Sequence, residues 1–118
     1  MQIGFYTAVF GDQPIDAVAH WAADAGFSAL EVDVGRHVGD PSGAGAVVEA
    51  VRGYGLEVCA LTTFGNLLDA DRAARERTRA TARATIDAAS ALGVDIVVTF
   101  PGRDEGAGED DNYRQLTQ

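Results

Sequence analysis

One pattern recurs three times along the chain and constrains its fold more than any other feature. An apolar-faced segment ends, a glycine follows, then a bulky apolar residue and a run of strand-forming residues. It reads AGFSALEV from Ala25, YGLEVCAL from Tyr54 and LGVDIVVT from Leu92. Each copy is the junction between a helix and a strand, with Gly26, Gly55 and Gly93 as helix stops. A first strand, IGFYTAVF (3–10), precedes them. The later strands are expected at 28–34, 56–64 and 94–100. Pro14 and Asp16 open the first helix, with Ile15, Val18, Ala19, Ala22 and Ala25 sharing a face. Ser42 is expected to cap a second helix, in which Val47, Ala50, Val51 and Tyr54 repeat at helical spacing. Asp69 or Asp71 opens a long third helix that runs to Leu92. Pro101 and Gly102 stop the fourth strand, and a further helix begins near Asp110.

Strands alternating with helices imply right-handed βαβ units and a parallel sheet covered by helices. Two architectures fit: an open doubly wound sheet, or part of a (β/α)8 barrel. The strands start 25 to 38 residues apart, and eight such units make about 250 residues, the usual barrel size. With 118 residues, four strands and three complete helices, the chain reads as one domain, either half a barrel or a small open sheet. A nucleotide-binding open sheet needs a glycine-rich first βα turn. The nearest match, Gly43-Ala44-Gly45, has Val48 where the third glycine belongs and lies past the second strand.

Composition narrows the function. Eighteen acids face nine bases, a net charge of −9, and all nine bases are Arg. An acidic surface does not follow a phosphate backbone, so no nucleic-acid partner is expected. Without Lys there is no Schiff-base catalysis and no P-loop. No run approaches the ~18 apolar residues of a membrane helix, and MQIGF lacks the basic start of a signal peptide. Cys59 is the sole cysteine, so a reducing, cytoplasmic setting is expected, with Cys59 itself in the core.

Ligands of parallel α/β folds sit beyond the carboxyl ends of the strands. Tyr6 and Thr7 end the first strand. Glu31 and Asp33, two apart in an otherwise apolar strand, project to one face, and buried carboxylates are costly unless paired or functional. Thr62, Thr63 and Asn66 follow the third strand, and Arg103 the fourth. The candidate substrate-binding residues are Glu31, Asn66 and Arg103, with His37 and Asp33 as further candidates. Each also has a structural reading: an ion pair for the acids, a turn for Asn66, a solvated loop for Arg103 and His37. Glu31, Asn66 and Arg103 are expected to converge at the ends of strands 2, 3 and 4. His20 reads as surface, and Trp21 as packing against a neighbouring helix. The stripe Arg72, Arg75, Arg79 and Arg83 reads as a solvated face paired with Glu76, beside an apolar face of Thr78, Ala82, Thr85, Ile86 and Ala89.

AGFSALEV, LTTFGNLLDAD, ALGVDIVVTFPGRD and EDDNYRQL together resemble the sugar phosphate isomerase/epimerase group, xylose isomerase-like TIM barrels grouped with the type 2 AP endonucleases. The GNL loop, the PGRD turn and the EDDNY helix start carry most of it. The resemblance covers the whole chain but only the N-terminal half of such barrels, so the expected fold is a half-barrel domain, 1–118, with strand order 1-2-3-4. It implies proton transfer next to a sugar carbonyl through an enediolate held by a divalent metal (Mn, Mg, Co or Zn). The family's ligands lie on later strands, so no metal ligand is expected from this chain, and the chain alone is expected to be inactive. The endonuclease branch carries metal-binding His where this chain has Thr62–Thr63 and Phe100, which argues against DNA repair. The expected partner is a sugar or sugar phosphate. A half-barrel also exposes the edges of its sheet, so self-association is expected. Two further readings stay open: a non-catalytic half-barrel, and an unrelated open-sheet binding domain.

Overall fold

Glycine stops and apolar faces do separate the elements where local chemistry demands. The computed structural model describes residues 1–117. Strand β1 (Gly4–Tyr6) is followed by a 3-10 turn (Thr7–Phe10), helix α1 (Ile15–Asp24) and strand β2 (Ala29–Asp33). A short helix α2 (Val34–His37) and a 3-10 turn (Pro41–Gly43) lead into α3 (Ala44–Gly53) and β3 (Glu57–Thr62). The long α4 (Arg72–Leu92), β4 (Val97–Val98) and α5 (Glu109–Leu116) complete the chain. The four strands form one parallel sheet in the order β1-β2-β3-β4. Strand 3 does not sit beside strand 1, so the sheet does not reverse direction as a doubly wound sheet does. It is half of a TIM barrel.

One face of the sheet is covered. Leu30 and Val32 of β2 and Val58 and Leu61 of β3 pack with Val48 and Val51 of α3, Ala19 and Ala22 of α1, and Ala89 of α4. The other, concave face carries the alternate residues: Tyr6, Glu31, Asp33 and Thr62. Val97 packs into the helix-side core, so Ile96 and Val98 lie on the concave side. No helix among the described residues is long and apolar enough to cross a membrane.

Several local expectations change. Strand 1 stops at Tyr6, not at residue 10, because the buried Thr7 turns its hydroxyl to accept the Asp33 amide at 3.0 Å and the chain coils to Gly11, φ +60°. Strand 4 shrinks from 94–100 to Val97–Val98, since it has a neighbour on one side only. Ser42 does not cap a helix. It donates its amide and hydroxyl to Asp40, and α3 starts at Ala44 with Val48 on its buried face. Cys59 is exposed, not core: the register slips between Leu30/Glu31, leaving Cys59 opposite no residue in a bulge of β3. Trp21 packs its ring against those of Phe5, Phe10 and Phe27. Ile86 is 54% exposed and lies off the buried face of α4. Glu76 reaches Arg79 at 3.9 Å, while Arg75 and Arg79 donate to the carbonyls of Asp69 and Leu67 and brace the loop before α4.

Candidate functional site

The concave face places polar side chains at the carboxyl ends of β1, β2 and β3. Register puts Tyr6 beside Glu31 and Asp33 beside Thr62. Asp33 is 5% exposed and fully engaged. One oxygen accepts the Tyr6 hydroxyl; the other accepts the Arg36 amide at 3.0 Å, which makes Asp33 the N-cap of α2. The Arg36 guanidinium stands 3.8 Å away and also reaches Asp12 at 3.9 Å. Burial, followed by the hydrogen bond and the charge of Asp33, pushes the Tyr6 hydroxyl well above the usual phenol range. Tyr6 therefore stays protonated and donates.

Glu31 is half-buried. Its Oε1 accepts the hydroxyl of the fully buried Thr62 at 2.5 Å. That bond answers the cost of a carboxylate in an apolar strand and leaves Oε2 with no partner among the described residues. Beside these acids lies an apolar shelf. Phe64 and Phe100 stack at 4.9 Å, Tyr6 meets Phe64 edge-on at 5.9 Å, and both phenylalanines are at least half exposed.

Asn66 does other work. Its Nδ2 donates to the Arg103 carbonyl at 2.7 Å, and its Oδ1 accepts the Leu68 amide at 3.0 Å. A Leu67 amide to Pro101 carbonyl bond at 3.1 Å reinforces this clamp between the loops after β3 and β4. Asn66 and Arg103 thus meet through a backbone group. The Arg103 side chain is exposed, and no ion pair joins it to Glu31 among the described residues. His37, in α2, is half-buried with an unpartnered Nε2, and lines a cavity of about 450 Å³ with Gly11, Gln13 and Arg36.

Glu31 and Asp33 are conspicuous in the sequence as acids in an apolar strand, whereas Tyr6, Thr62 and Arg36 become their partners only in the folded sheet. Alternation on neighbouring strands was the available signal: Gly4/Tyr6, Glu31/Asp33 and Ala60/Thr62 share one face. The donors present do not suit a divalent metal. Both Asp33 oxygens are taken, a cation already stands beside them, and no group of three His, Cys, Asp or Glu is placed to hold an ion among the described residues.

A family model described as a xylose isomerase-like TIM barrel matches residues 19–118. No curated protein matches the chain.

Proposed function

The chain belongs to the xylose isomerase-like TIM barrel family, and from that premise we propose that its concave face contacts a sugar or sugar phosphate in an isomerase or epimerase that moves a proton next to a carbonyl. The observation that carries the reading is the pair of carboxylates, Glu31 and Asp33, facing the open end of the half-barrel with their partners already in place. Glu31 is the direct contact: Oε2 accepts a sugar hydroxyl while Thr62 holds Oε1. Asp33 is a positioning residue that fixes the Tyr6 hydroxyl and the Arg36 side chain. Arg36, 48% exposed, supplies a cation for a phosphate or carbonyl oxygen. The Phe64–Phe100 shelf receives the apolar C–H face of the sugar. Asn66 acts by holding the loop that presents Arg103, and His37 lines the rim. We assign this chain substrate contact and no metal ligand, and the proton transfer to groups outside it.

The test is an NMR titration of the 118-residue chain with aldoses, ketoses and their phosphates. Shifts should cluster at Glu31, Asp33, Arg36 and Thr62–Phe64, and Glu31→Gln should weaken binding by about tenfold or more, the effect of losing a charge-assisted hydrogen bond. Shifts elsewhere, or none, overturn the site. Solvent deuterium entering the sugar with this chain alone would overturn the division of roles.

A further inference from the structure

We propose that the cavity between the β1–α1 loop and α2 is a subsite for a second sugar ring, which makes the substrate a disaccharide or another glycoside. The inference rests on the reading that the concave face takes a sugar, and it narrows the size of that sugar. Two adjacent segments build the cavity: Gly11, Asp12 and Gln13 ahead of α1, and Arg36 and His37 of α2. Its volume is about 450 Å³, within the range of pockets that hold a small organic ligand. Arg36 joins it to the site already described. The guanidinium stands 3.8 Å from Asp33, at the end of β2, and 3.9 Å from Asp12 of the β1–α1 loop. A path from Glu31 past Asp33 and Arg36 leads into the cavity.

The lining favours a neutral, hydroxyl-rich occupant. One cation, Arg36, stands beside two carboxylates, Asp33 and Asp12, so an anion would meet more like charge than opposite charge. His37 Nε2 is buried and has no hydrogen-bond partner among the described residues. A turn of the imidazole toward the cavity lets a ligand supply one. A hydroxyl both donates and accepts, so it satisfies Nε2 in either neutral tautomer, whereas a phosphate dianion only accepts. Gln13 adds an amide with donors and an acceptor, and Asp12 a further acceptor. Donors and acceptors mixed in this way match the neighbouring hydroxyls of a sugar ring.

The test is an NMR titration of the 118-residue chain with maltose, cellobiose, sucrose, glucose and inorganic phosphate. One of the disaccharides should shift Glu31 and Thr62 together with Gln13, Arg36 and the Nε2 resonance of His37. Both groups should follow one binding curve, at lower concentration than glucose needs. Gln13→Ala changes an exposed loop position, and His37→Phe keeps a ring without nitrogen; circular dichroism verifies that each variant folds. Each should lower the ratio of disaccharide to glucose affinity by about three- to tenfold, the worth of a neutral hydrogen bond. Glu31→Gln should weaken both sugars alike. Disaccharide shifts confined to Glu31 and Thr62 overturn the subsite and leave the proposed function standing. Shifts confined to the cavity overturn the two-ring substrate and also remove Glu31 as the sugar contact. Disaccharides that bind no more tightly than glucose overturn the proposal, as does inorganic phosphate moving Arg36 and His37 where the disaccharides do not.

Discussion

Thr62 and Tyr6 show how single side chains make two carboxylates tolerable on an apolar sheet. Thr62 donates to Glu31 at 2.5 Å. Thr62→Val keeps the shape and removes the donor, so a half-buried carboxylate loses its partner. The expected cost is about 1–3 kcal/mol in urea denaturation, with Thr62→Ser recovering most of it. Tyr6 gives a pH signature. Its folded-state pKa lies above the ordinary 10.0. The stabilisation is fully present below pH 10 and is lost as pH rises through the folded value, because the unfolded chain ionises first. The urea midpoint should therefore fall from pH 9 to 11. Tyr6→Phe should flatten that slope; an unchanged slope would remove Tyr6 from the buried hydrogen bond.

Among elements, α4 has the clearest local logic. Asp71 caps it, accepting from the Ala73 amide at 2.8 Å, and Gly93 ends it in the left-handed conformation at φ +68°. Asp71→Ala should cost about 1 kcal/mol of stability by thermal or urea unfolding, and Asp71→Asn much less. The loop after β4 depends on a close approach. Gly102 adopts φ +69°, and a Cβ there would fall inside contact distance of Asn66 Oδ1. Gly102→Ala combines backbone strain with that clash and should destabilise by about 1–3 kcal/mol. Amides of Leu67 and Leu68 should lose hydrogen-exchange protection first, because their acceptors belong to the clamp.

For the whole molecule, the radius of gyration is 15.7 Å, against about 13–14 Å for a compact chain of this length. The excess fits a sheet covered by helices on one face and open on the other.

Order and type of the elements were legible in the sequence because glycine stops, caps and apolar periodicity act over a few residues. Gly26, Gly55 and Gly93 mark three helix ends whatever surrounds them. The repeat alone left two strand orders open, that of a barrel and that of a doubly wound sheet, and the resemblance to xylose isomerase-like barrels selected 1-2-3-4. Glu31 and Asp33 stood out as acids in an apolar run. Their partners did not: Tyr6 is 27 residues from Asp33 and Thr62 is 31 from Glu31, so only strand pairing brings them together. Exposure of Cys59 depends on a bulge between β2 and β3, and the shortness of β4 on its having one neighbour. Both are properties of pairing across the sheet. That the Asn66 amide donates to the Arg103 carbonyl was not legible either, because the path of the backbone after β4 brings the two together. Local chemistry sets what each segment becomes; contacts between distant segments decide which side chains meet.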